Sequence, residues 1–159
     1  MERNGLSMVG CTDSEIVGGS FKDTGRLYGG SSPKAGIDLE PNVLTNPLLG
    51  SGTSTSKVEN ITITGAEISG NKDWGLQLLN RKCKNISITG CHISDHIISG
   101  GGFRVDKVEN ISITGNTFNN DDFNDIWINQ SKHITVANNI IKGDTTGDAG
   151  VGVHIYGAG

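Results

Sequence analysis

Proline is scarce, three residues in 159, and no apolar run approaches the roughly 20 residues that a membrane-crossing helix needs. Aromatic residues are also few, at 5%, and charged residues make up 19%. Lys and Arg form no cluster and the net charge is −4, which argues against a nucleic-acid partner. The opening MERNGLSMVG lacks the basic start and apolar stretch of a signal peptide. Cysteine is limited to Cys11, Cys83 and Cys91, an odd number with no CxxC and no histidine at metal spacing. A disulfide framework is therefore not expected, and the thiols read as buried or half-buried.

Glycine, by contrast, is abundant: 24 residues, about twice the usual share. Isoleucine outnumbers leucine by about two to one. Glycine disfavours helix interiors, while Ile, Val and Thr suit pleated surfaces, so bundles, coiled coils and Rossmann-type domains are excluded. Glycine has no Gly-X-Y period, so collagen is excluded as well. The remaining class is a β-rich chain with many turns and a thin core.

Repeats set the architecture. VENITITG (58–65), KNISITG (84–90), VENISITG (108–115) and KHITVAN (132–138) are four copies of one strand. Their first central isoleucines, Ile61, Ile86, Ile111 and Ile134, recur every 25, 25 and 23 residues. Between them runs a second family: GLSMV (5–9), GIDLE (36–40), GLQLL (75–79), GFRVD (102–106), DIWIN (125–129) and GVHIY (152–156). Alternation turns Leu6/Met8, Ile37/Leu39, Leu76/Leu78, Phe103/Val105, Ile126/Ile128 and Val153/Ile155 inward, all twelve apolar. A third short segment follows each bend: Glu67-Ile68, His92-Ile93, Thr117-Phe118 and Asn139-Ile140. Units of about 25 residues with three short strands cannot bury their apolar side alone, but stacked units share one core. The expected fold is all-β, a right-handed parallel β-helix of about five to six coils spanning 1–159 as a single segment of a longer solenoid. Asn60, Asn85 and Asn110 fall in one column, where stacked amides can hydrogen-bond. That ladder accounts for three Asn-x-Ser/Thr matches better than glycosylation does.

The two outward faces differ. The first family presents Thr62, Thr64, Ser87, Thr89, Ser112, Thr114 and Thr135, an inert solvated wall. The second presents Ser7, Asp38, Gln77, Arg104, Trp127 and His154 in one column and Val9, Glu40, Leu79, Asp106, Asn129 and Tyr156 in the next. Glu40 and Asp106 are two layers apart, about 9.6 Å at the strand spacing. Carboxyl pairs separated by about 6.5–9.5 Å suit inverting glycoside hydrolysis. Asp38, Glu40, Arg104 and Asp106 are therefore the expected catalytic group, with Gln77, Trp127, Asn129, His154 and Tyr156 as substrate-binding residues. A surface ion pair between Arg104 and Asp106 is the plainer reading of those two. His154 and Tyr156 stand four coils from Asp38, about 19 Å, too far to share one sugar with it.

Resemblance enters at PKAGIDLEPN (33–42), preceded by the FKDT turn and followed by NISITGN repeats. These segments resemble right-handed parallel β-helix proteins of the pectate-lyase superfamily. Within it, the chain is similar to bacteriophage tail spikes and to secreted polysaccharide-modifying proteins with a GIDIEP-type segment. The resemblance implies a polysaccharide partner, a virion-tail or extracellular location and trimeric assembly. It leaves lyase, hydrolase, glycan binder and structural shaft open. Alginate C5-epimerases carry a GFDPHE-like strand on which Asp38 would overlay the aspartate, but Glu40 stands where their histidine would be, against epimerisation.

Two other segments interrupt the pattern. Residues 41–57 form an insertion expected to border the Asp38/Glu40 face. NNDDFND (119–125) gathers oxygen ligands, so Ca²⁺ is the one cofactor weighed; without EF-hand spacing it reads better as a solvated turn, and no resident metal or cofactor is expected.

Overall fold

The computed structural model describes residues 4–25, 34–41, 43–45, 53–97, 101–119, 121, 123–143 and 150–157. Their strands, numbered along the chain, stack into three parallel sheets. Sheet A, six strands, comprises β1 (Leu6–Met8), β4 (Ile37–Leu39), β9 (Leu76–Leu79), β12 (Phe103–Asp106), β15 (Asn124–Asn129) and β18 (Val151–Tyr156). Sheet B, five strands, comprises β2 (Cys11–Val17), β7 (Val58–Thr64), β10 (Cys83–Thr89), β13 (Glu109–Thr114) and β16 (Lys132–Ala137). Sheet C, also five, comprises β3 (Ser20–Lys22), β8 (Glu67–Ser69), β11 (His92–Ser94), β14 (Thr117–Asn119) and β17 (Ile140–Lys142). Each coil visits A, B and C in turn, which is the three-sided parallel solenoid expected from the repeats.

The inward columns form one core, from Ile37 and Leu39 through Leu76 and Leu78 to Ile126 and Ile128, with the central isoleucines of sheet B facing them. Phe103 and Phe118 meet edge to face, centroids 4.9 Å apart, where sheets A and C converge. Pairing of β14 with β17 sets Phe118 opposite Ile141, so the fourth copy of the third segment is Ile140-Ile141 rather than Asn139-Ile140; Ile141 packs against the core and Ile140 is exposed. The first coil carries two strands that the repeats did not reveal. In β2, Ser14 stands opposite Ile61 and Ile16 opposite Ile63, and in β3 Phe21 stands opposite Ile68.

Backbone chirality lines up in the same columns. Asp13, Asn60, Asn85, Asn110 and His133 all adopt positive φ between 53° and 58°. Asn and Asp tolerate this left-handed conformation better than other side chains. The expected amide ladder forms: Asn110 donates to Asn85 Oδ1 and Asn85 to Asn60 Oδ1, both at 3.0 Å, and Asn60 donates to Asp13 Oδ1 at 2.8 Å. With each amide donating up the stack, these sites serve the turn.

Two further ladders run inside the corners. Between sheets B and C, Cys91 N–H donates to Asn116 Oδ1 and Asn116 N–H to Asn139 Oδ1, both at 2.9 Å. Between sheets C and A, Thr24 N–H donates to Asn71 Oδ1, Asn71 N–H to His96 Nδ1 and His96 N–H to Asp121 Oδ1. Because Nδ1 accepts, the neutral His96 ring carries its proton on Nε2. That nitrogen explains Gly75: a Cβ there would lie 2.3 Å from His96 Nε2 and 2.8 Å from Gly102 O.

The three cysteines are free thiols, Cys83 and Cys91 buried and Cys11 half-buried, as expected. Burial pushes the Cys83 thiol up to about 12, with the nearby Cys11 and Asp38 adding to it, so it stays protonated and unreactive. The insertion at 41–57 contains an antiparallel ribbon, β5 (Val43–Thr45) paired with β6 (Thr53–Thr55). It leaves the coil directly after Glu40; residues 42 and 46–52 lie outside the described residues.

Candidate functional site

Sheet A brings its outward residues together in the expected order. Asp38 stands opposite Ser7 and Gln77, Gln77 opposite Arg104, Arg104 opposite Trp127, and Trp127 opposite His154. In the second column Asp106 stands between Leu79 and Asn129, and Asn129 opposite Tyr156.

Within that wall the carboxylates are not equivalent. Asp38 is only 4% exposed, and it accepts from Asn4 Nδ2 at 2.7 Å and Gln77 Nε2 at 2.8 Å. Gln77 is buried too, so this expected binding residue holds Asp38. Asp106 is 9% exposed; its Oδ2 accepts from Arg104 at 3.0 Å and its Oδ1 from Asn129 Nδ2 at 2.8 Å. Glu40 is half-buried, and among the described residues its carboxylate makes no hydrogen bond or ion pair. Glu40, Arg104 and Asp106 line one depression of about 460 Å³ with Leu79, Asn80, Arg81 and Lys107. Of the four expected catalytic residues, three thus share a cavity, while Asp38 sits in the hydrogen-bonded layer below the surface.

Arg104 is the hinge of the arrangement. Its guanidinium lies 5.5 Å from the centre of the Trp127 ring while bonded to Asp106. A cation over an aromatic face and a carboxylate at its side fix the planar fork, which presents remaining N–H donors to the depression. Trp74 packs against Trp127 with centroids 6.1 Å apart, tilted by 38°. Trp127, half-buried, therefore supports Arg104. Asp73, immediately before Trp74, is pushed up by burial, against the pull of the Arg104 charge. His154 and Tyr156 are exposed on β18, one layer beyond Trp127 and Asn129.

Trp74, Asp73, Arg81 and Lys107 escape a reading confined to strand columns. They flank the strands: two just before β9, two on the corner after β9 and β12. Their signal was the pair Arg81-Lys82, two residues inserted in one corner relative to the next coil, where Lys107 leads straight to Val108.

In the 119–125 run, 120 and 122 lie outside the described residues. Asp121 caps His96 N–H, and Asp125 is buried in the column otherwise held by Gly36, Gly75, Gly102 and Gly152. Among the described residues, no three His, Cys, Asp or Glu side chains converge as metal ligands.

Compared with known families, residues 4–159 match the family model described as a right-handed β-helix region. No curated protein matches the chain, and no solved structure does.

Proposed function

We propose that this chain, which belongs to the right-handed β-helix family, recognises a polysaccharide on the outer face of sheet A. The observation that carries the reading is Arg104, held between the Trp127 ring and Asp106 at the edge of a cavity of about 460 Å³, with the unpaired Glu40 on the same lining. A fixed guanidinium and a free carboxylate bind hydroxyl and acid groups of sugars from both donor and acceptor sides. Among the described residues, the Ser/Thr columns of sheet B line no such cavity. Likeness of PKAGIDLEPN and the NISITGN repeats to the pectate-lyase superfamily and tail spikes supports the same substrate class. A trimeric assembly on a phage tail or a secreted location belongs to that likeness alone.

A second reading, cleavage of the bound chain, is favoured by one feature. Glu40 and Asp106 sit two layers apart, about 9.6 Å between Cα atoms, close to the separation used by inverting glycosidases. Against it, both Asp106 oxygens are already engaged as acceptors. Glu40 would then be the one carboxyl available for proton transfer.

Titration calorimetry against a panel of neutral and acidic bacterial polysaccharides tests the site. Arg104→Ala is expected to weaken binding at least tenfold, about 1.4 kcal/mol, with melting temperature nearly retained. Equal affinity in parent and variant would remove the wall as the site. Release of reducing ends or unsaturated uronates by the parent, lost in Glu40→Gln, would establish cleavage.

A further inference from the structure

The cavity beside Arg104 does not end at the edge of sheet A. Arg81 and Lys107 also line a second depression, again of about 460 Å³, whose other walls are Lys84, Val108, Glu109, Gln130 and Lys132. This groove follows the corner between sheets A and B. Along it, sheet B carries Lys84, Glu109 and Lys132 opposite one another in successive layers, and Glu59 continues this alternating charge column beyond the groove. Lys84 and Glu109 satisfy each other at 2.8 Å, and that contact holds the Glu109 carboxyl below its ordinary value. The cations Arg81, Lys107 and Lys132 are exposed and, among the described residues, enter no ion pair. They come one from each of three consecutive coils but from different columns: Lys107 follows Asp106 at the corner, Arg81 lies in the longer corner one coil before, and Lys132 stands opposite Glu109 on sheet B. On a protein of net charge −4, a group of three unpaired cations beside a cavity is a local reversal of the overall field.

We infer that this corner groove is an extension of the sheet A site that takes the acid groups of an anionic polysaccharide. The inference rests on the reading of sheet A as a glycan-binding wall and names its substrate class. Position argues for it: Arg81 and Lys107 line both depressions and Lys132 lines the second, so a polymer running from one to the other meets cations from three successive coils. Arg81 and Lys107, shared by both depressions, would hold the sugar that turns the corner. The negative net charge disfavours nucleic acid as the occupant, since duplex binding draws on many phosphate contacts and a wide basic surface.

Calorimetry at low salt, with polygalacturonate, dextran sulfate, uncharged dextran and duplex DNA as probes, tests the groove. The variant is Arg81→Gln with Lys107→Asn; asparagine keeps the left-handed backbone at 107, where φ is 56°. The expected result is that an anionic polymer binds at least tenfold tighter than dextran. The double variant should lose about tenfold for that polymer, clearly more than it loses for dextran, and melt as the parent does. Whichever of polygalacturonate or dextran sulfate binds tighter identifies carboxylate or sulfate as the acid group, and either supports the groove. Tighter binding should also weaken steeply as salt rises, as exposed charge pairs are screened. Equal affinity for dextran and the anionic polymers, with both lost in Arg104→Ala, would overturn the groove and leave the wall standing. An anionic preference untouched by the double variant would overturn it too, as would DNA binding as tight as polygalacturonate. Failure of every polysaccharide to bind would overturn wall and groove together.

Discussion

Asn116→Ala is expected to destabilise the protein by about 3–5 kcal/mol, because it orphans two buried backbone groups. Asn116 is fully buried; its Oδ1 accepts from Cys91 N–H at 2.9 Å, and its Nδ2 donates to Ile88 O at 3.0 Å and to Asn139 Oδ1 at 3.1 Å. Each unpaired buried group costs about 1–3 kcal/mol. Against a total stability of about 5–15 kcal/mol, the loss would be visible as a large fall in denaturant midpoint. The preceding coil shows what a lesser change does. There the column holds Cys91, whose thiol donates to Ile63 O at 3.9 Å and to Thr89 O at 3.6 Å. Asn116→Cys is therefore expected to cost less than Asn116→Ala. Equal denaturant midpoints for the parent and Asn116→Ala would mean that the interior ladder does not hold the coils together.

Acid should expose the second largest effect. His96 is fully buried; burial lowers its pKa from 6.5 to about 4, against a smaller upward pull from Asp95. The unfolded chain thus binds a proton first, so stability falls as pH drops from 6.5 towards about 4. The loss is about 3 kcal/mol across that window. Asp125 has the opposite sign. Burial raises it from 3.8 to about 6, so the folded state keeps its proton and stability falls as pH rises from about 4 through 6. Each group has an orphaned atom, His96 Nε2 and Asp125 Oδ1, among the described residues. In the parent the two trends oppose each other. His96→Asn, which copies Asn71 one layer away in the same ladder, should remove the acid loss. Asp125→Asn should raise stability at pH 7 and leave a steeper loss on acidification. Urea denaturation at pH 7, 5.5 and 4 checks both, and parallel profiles for His96→Asn and the parent would contradict the assignment.

These ladders were only partly legible in the amino-acid order. Strand columns could be read because period 25 repeats Ile at alternate positions, and the Asn60–Asn85–Asn110 column repeats with them. Asp13 and His133 occupy the same backbone conformation without the same residue, so the identity signal stopped short of the ends. Ile140 and Ile141 are adjacent and equally apolar; the hydrogen bond of Asn116 N–H to Asn139 Oδ1 fixes which one turns inward. At the site, alternation placed Asp38 outward, which is true of its strand, yet Asn4 and Gln77 enclose it from neighbouring coils. Burial of an outward residue depends on what lies over it, and periodicity carries no information about that. The corner cations Arg81 and Lys107 were missed for a related reason: turns between strands do not alternate, so only three-dimensional stacking brings them to one groove with Lys132 of β16.

The site also carries its own reporter. The chain has two tryptophans, Trp74 and Trp127, and both belong to the Arg104 cluster, 6.1 Å apart. Tryptophan emission followed during titration with an acidic polysaccharide therefore tests most directly whether sheet A is the binding wall. A saturable change with the same midpoint as the calorimetric isotherm, abolished in Arg104→Ala, is the predicted result. Calorimetric binding with no change in emission would contradict it, since the sugar would then lie away from Arg104 and its two rings.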